Sequence, residues 1–132
     1  ETRAAYADAG VEARVQPFIE DMATAYASAD LAVCRAGALT IAELCAAGLG
    51  ALLVPFPFAV DDHQTRNAAA MHDAGAALLV QERDLDAQRL STELQKLLND
   101  RPALLAMAAA ARALARPDAA GAIAARCLEV AA

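Results

Sequence analysis

The sequence predicts an α/β fold: a Rossmann-like parallel sheet with flanking helices and a helical C-terminal end. Short, unbroken apolar runs at Leu31–Cys34, Ala51–Val54 and Ala77–Val80 alternate with helical stretches closed by Gly48 and Gly75. The connections between them are short. After Val80 the alternation stops and three helical stretches follow. At 132 residues the chain is one domain or part of one, and its 58% apolar share is ample for a core.

In chain order, Glu1–Ala9 has helical composition and stops at Gly10, a typical C-terminal cap. Ala13–Phe18 alternates and reads as a short strand. Asp21–Ser28 reads as a short helix with Met22, Ala25 and Tyr26 facing inward. Leu31–Cys34 is apolar throughout, as in a parallel strand covered on both faces. Thr40–Ala47 is a helix closed by Gly48, and Ala51–Val54 a second buried strand ended by Pro55. His63–Ala74 is a helix closed by Gly75, and Ala77–Val80 a third buried strand. Asp86–Leu98, Pro102–Ala115 and Asp118–Val130 are helical. Pro102 sits near a helix start, where its missing N–H costs little, and Asp118 is placed to cap.

Composition removes several function classes. The net charge is −6, with no basic stripe interleaved with aromatics, so nucleic acid and polyanionic membrane surfaces are poor partners for this segment. No apolar run reaches the roughly 18 residues of a membrane span. The longest, Ala51–Val60, is broken by Pro55 and Pro57. The three cysteines, Cys34, Cys45 and Cys127, form no CxxC. Cys34 and Cys45 read as small buried hydrophobes of a reducing cytoplasm rather than activated thiolates.

Three short segments can carry chemistry. The loop Arg35-Ala36-Gly37-Ala38-Leu39 leaves a buried strand and enters a helix at Thr40. Ligands of open α/β sheets bind beyond the carboxyl ends of strands, and a helix start offers free N–H groups and a dipole to an anion. Thr40 and Glu43 also fit a capping box, with Thr40 as N-cap, so the spacing serves both readings. At Asp61-Asp62-His63-Gln64 and Asn67, either aspartate can cap a helix whose first turn carries an imidazole and two amides. Such groups both donate and accept, which suits sugar hydroxyls, although an ordinary polar helix start fits as well. The pair Asp61 and Asp62 with His63 lacks a metal-ligand spacing. In Phe18-Ile19-Glu20-Asp21-Met22 a strand end runs into a helix with two acids in its first turn, which capping alone explains. Ser-His-Asp order, a nucleophile elbow, a P-loop and GxGxxG are absent from the sequence.

Taken together, Phe18-Ile19-Glu20-Asp21-Met22, Arg35-Ala36-Gly37-Ala38-Leu39-Thr40, Val54-Pro55-Phe56 and Asp62-His63-Gln64 with Asn67-Ala68 resemble the donor-binding half of the two-domain inverting glycosyltransferases of GT-B fold. The nearer resemblance is to the MurG-type enzymes, which add N-acetylglucosamine to lipid I in peptidoglycan synthesis. It runs from about Gly10 to the C-terminus. It implies uracil near Phe18 and the main chain of Ile19, and diphosphate on the amides of Ala38, Leu39 and Thr40. It implies ribose on Glu43 and the sugar near His63, Gln64 and Asn67. No cofactor and no metal are implied. Where some family members have Gln, this chain has His63; where a proline is common, it has Gly50, which is expected to loosen that turn.

The resemblance further implies that the chain is part of a domain. The family's donor domain opens with a strand and a Gly-Gly-Ser loop not found before Glu1, and the acceptor domain, with its general base and membrane-contacting patch, lies outside the sequence. The expected parent is a hexosyltransferase on the cytoplasmic face of the bacterial inner membrane, converting lipid I to lipid II with UDP-N-acetylglucosamine. No catalytic residue is expected within the chain itself. The alternative is a non-catalytic donor-binding subunit of a split glycosyltransferase. The doubly wound order puts the absent strands between Ala13–Phe18 and Leu31–Cys34. The edge of Leu31–Cys34 should then be open, so either Ala13–Phe18 pairs with it or two copies join there as a homodimer.

Overall fold

The computed structural model describes residues 1–131. Its centre is a three-stranded parallel sheet in the order β1-β2-β3, formed by Ala32–Cys34 (β1), Ala51–Leu53 (β2) and Ala77–Leu79 (β3). The register pairs Val33 with Leu52 and Leu52 with Leu78. Among the described residues seven α-helices accompany it: α1 (Thr2–Asp8), α2 (Met22–Ala27), α3 (Ala38–Ala47), α4 (His63–Asp73), α5 (Ala87–Leu98), α6 (Arg101–Ala113) and α7 (Ala119–Ala131). Among the described residues no helix is long and apolar enough to cross a membrane.

Alternation along each strand sorts the core into two faces. Ala51, Leu53 and Ala77 pack with Leu44 and Cys45 of α3, Ala68 and Met71 of α4 and Ala111 of α6. Leu52, Val54 and Val80 face the other way, toward Leu85 and Leu90. Leu97, Leu104 and Met107 of α5 and α6 extend that second layer, against Leu31 and Leu78. Leu44, Leu52 and Leu53 are fully buried, each a gain of roughly 1.5–3 kcal/mol over exposure. The ends of α3 are set by glycine. Gly48 takes a left-handed conformation at φ 69° as its C-cap, and the Arg112 guanidinium of α6 donates to the Ala46 carbonyl in the last turn.

Several expectations change. Ala13–Phe18 forms no strand; the whole stretch from Val11 to Asp21 lies outside the sheet. A strand exists through its ladder, and this exposed segment has no strand to pair with. Consequently β1 is an edge strand bonded on one side only, and Val33 is 48% exposed rather than covered on both faces. The pairing of Ala13–Phe18 with β1 therefore does not occur. The helix expected from Thr40 begins at Ala38, with Gly37 as its N-cap, so Thr40 lies inside the first turn. Gly50, expected in a loosened turn, is instead packed. A Cβ built there would stand 2.9 Å from Met107 Cβ, and the Gly50 carbonyl accepts from Ala32 N at 3.0 Å.

Candidate functional site

The strand β1 ends at Cys34, and the chain turns through Arg35, Ala36 and Gly37 into α3. Gly37 has no side chain to cap with, and the first backbone bond of α3 runs from Ile41 N to Gly37 O at 2.9 Å. The N–H groups of Ala38, Leu39 and Thr40 thus point out of the helix start with no acceptor among the described residues. Leu39 is 80% exposed and Ala36, just before, is fully buried. Three bare donors and the positive end of a ten-residue helix stand at the carboxyl end of a parallel strand.

Four side chains hold this turn. The Gln64 amide oxygen accepts from Ala36 N at 3.2 Å and from Phe56 N at 3.0 Å. The Asn67 Nδ2 donates to Ala36 O at 3.1 Å. Both residues come from the first turns of α4, which starts beside the end of β2. On the other side the Arg35 guanidinium donates to the carbonyls of Val54 and Pro55, at 3.3 and 3.2 Å, pairs with Glu82 at 2.5 Å and lies over the Phe56 ring. The C-terminal ends of all three strands are tied together this way. A lone arginine between two apolar stretches was the sequence signal for this role, but its partner Glu82 is 47 residues away and could not be named.

Glu43 does not close a capping box. Its Oε2 accepts from the Tyr26 hydroxyl of α2 at 2.9 Å. Burial, the hydrogen bond to Glu43 and the Glu43 charge together push Tyr26 up to about 12. Tyr26 reads from sequence as an inward residue of α2, and only the fold shows what its hydroxyl meets. The groove between α2 and α3 is lined by Met22, Tyr26, Glu43 and Ala47.

Phe18 and Ile19 lie elsewhere. They line a second groove with Glu20, Asp21, Thr24 and Ser28. The helix α2 stands between the two grooves, contributing Tyr26 to one and Thr24 to the other, so the structure does not bring Phe18 and Ile19 into one pocket with Glu43. Asp21 caps α2, its carboxylate accepting from Thr24 N at 2.9 Å and from the Thr24 hydroxyl at 2.6 Å, which lowers its pKa.

His63 opens α4. Its Nδ1 lies 2.7 Å from the Val60 carbonyl, an acceptor only, so that nitrogen carries the proton and Nε2 faces outward. Neither expected aspartate cap forms. Asp62 takes the N-cap position with no side-chain bond, and both Asp61 and Asp62 hold φ 51°. Cys34 and Cys45 have thiols pushed up by burial, which keeps them protonated. Among the described residues no group of three His, Cys, Asp or Glu side chains is placed to hold a metal ion.

Comparison with known proteins gives this geometry a family. The chain is 60% identical over 129 residues to the UDP-N-acetylglucosamine--N-acetylmuramyl-(pentapeptide) pyrophosphoryl-undecaprenol N-acetylglucosamine transferase of Marinobacter nauticus, covering 98% of this chain and 36% of that protein. The protein of the same description from Nitrosococcus oceani is 61% identical over 127 residues, or 96% of this chain and 35% of its own length. A crystal structure of Acinetobacter baumannii MurG superposes with a TM-score of 0.85 at 48% identity, over 92% of this chain and 37% of that one. The chain spans about a third of the length of the relatives it matches. The sequence model of the glycosyltransferase family 28 C-terminal domain matches residues 1–123, and the chain belongs to that family.

Proposed function

We propose that the chain is the donor-binding part of an inverting N-acetylglucosaminyltransferase that uses UDP-N-acetylglucosamine and converts lipid I to lipid II in peptidoglycan synthesis. The observation that carries this reading is the α3 start: three unpartnered amides, Ala38 to Thr40, beyond the end of β1, with Glu43 further along the same helix. In this reading the diphosphate lies on those amides. Glu43 receives the ribose hydroxyls on the oxygen that Tyr26 leaves free. His63, Gln64 and Asn67 face the sugar, and Phe18 with the Ile19 main chain meets the uracil, across α2 from the groove that holds Glu43.

The chemistry is displacement at the anomeric carbon by an acceptor hydroxyl, with inversion. The bond to UDP breaks as the new glycosidic bond forms, and the leaving diphosphate takes its charge onto fixed N–H dipoles that need no reorganisation. The base that accepts the hydroxyl proton and the surface that receives lipid I belong to an acceptor domain outside the chain. The whole enzyme works as a peripheral protein on the cytoplasmic face of the inner membrane. In isolation, two copies of this chain pair through the open edge of β1, which offers an unpaired ladder.

Calorimetric titration with UDP-N-acetylglucosamine tests the donor assignment. Saturable binding, competed by UDP, is expected; a protein that binds neither would defeat it.

A further inference from the structure

Gln64 is committed before any ligand arrives. Two main-chain N–H groups, Ala36 N and Phe56 N, converge on one end of its amide at 3.2 and 3.0 Å. Both are donors, so only the amide oxygen can stand there, and the orientation of the amide is fixed by its partners. The two N–H groups belong to different strand exits: Ala36 follows β1 and Phe56 follows β2. Asn67, one turn along α4, closes the arrangement by donating to Ala36 O. Ala36 is fully buried, so both of its polar main-chain groups need partners inside the protein, and α4 supplies both. The next residue, Gly37, is the N-cap of α3.

We infer that Gln64 and Asn67 are positioning residues that set the turn from β1 into α3 and so aim the amides of Ala38, Leu39 and Thr40. The inference rests on the donor-binding reading for what those amides receive. It goes further in saying that losing the Gln64 oxygen weakens a diphosphate bound at α3 whether or not a sugar is attached. Gln64 Nε2 makes no hydrogen bond among the described residues and is left as a pure donor, so any ligand group it meets must be an acceptor.

The test uses the full-length protein and the near-isosteric Gln64→Met, which keeps volume and removes the acceptor. Amide hydrogen exchange is read at Ala36 and Phe56, with Kd for UDP and for UDP-N-acetylglucosamine and the melting temperature. Expected are faster exchange at both amides, a rise of about five- to tenfold in Kd for UDP itself, and a melting temperature within a few degrees of the parent, as for loss of one acceptor to a neutral N–H pair. Gln64→Glu, whose carboxylate still accepts from both amides, should restore their protection. An unchanged Kd for UDP, with loss confined to the sugar nucleotide, overturns the positioning role and leaves Gln64 as a sugar contact only. Unchanged exchange in Gln64→Met overturns the brace itself. If Gln64→Met does not fold, Asn67→Ala takes its place, with faster exchange around Ala36 and weaker UDP binding expected and the same contrary results. Wild-type protein that binds no UDP defeats the donor-binding reading and the ligand half of this inference, while the exchange arm still decides the brace.

Discussion

Glu43 has one carboxylate oxygen, Oε2, engaged by the Tyr26 hydroxyl at 2.9 Å, while Oε1 has no hydrogen-bond partner among the described residues. Replacing Glu43 by Gln keeps an acceptor for Tyr26 but removes the charge. It should weaken UDP-N-acetylglucosamine binding by about 1–3 kcal/mol, the scale of a charge-assisted bond, with a melting temperature within a few degrees. Unchanged donor Kd and KM would remove Glu43 from the ribose. Tyr26 provides an independent reading of the same contact. Its folded-state pKa is raised to about 12, above the usual phenol value of about 10. The neutral phenol therefore contributes stability that is fully present below about pH 10 and is lost as pH rises toward 12. In a Tyr6→Phe background, phenolate absorbance should report Tyr26 ionising near 12, and Glu43→Gln should bring it down toward the ordinary value. A titration that Glu43→Gln leaves in place would mean that the Glu43 charge does not act on the Tyr26 phenol in solution.

At the scale of elements, Gly50 shows how a loop residue can be held by a distant helix. Its missing Cβ would stand 2.9 Å from Met107 Cβ on α6, and neither backbone can retreat without moving β2 or α6. Gly50→Ala should destabilise the protein by about 1–3 kcal/mol as an overpacking change, read as a lower midpoint in urea. A neutral outcome would show that α6 yields there. The three strands and α2 to α6 were legible because their apolar runs and glycine or aspartate caps are local signals. The strand at Ala13–Phe18 was misread because alternation alone does not make a strand; it needs a neighbour. The start of α3 was placed two residues late because Thr40 and Glu43 imitate a capping box, whereas Gly37 terminates the turn without a side chain. The family resemblance picked out Gln64 and Asn67 for a sugar, yet their contacts across 28 and 31 residues to Ala36 are tertiary and left no local trace. The same holds for Tyr26 with Glu43 and Arg35 with Glu82.

For the molecule as a whole, the open edge of β1 and the groups at the α3 start govern behaviour. Light scattering on the isolated chain should show a concentration-dependent dimer, and Val33→Lys, placing a charge on the edge strand beside the unpaired ladder, should return it to monomer. A monomer at every concentration would remove the edge-pairing proposal without touching the donor site. Whether the helix start after β1 receives the diphosphate of a UDP-sugar is decided by following backbone amide resonances while UDP-N-acetylglucosamine is added. Saturable shifts are expected at Ala38, Leu39 and Thr40, retained when UDP replaces the sugar nucleotide and absent with uridine, which carries no phosphate. Saturable binding that leaves those three amides unmoved would contradict this placement of the diphosphate.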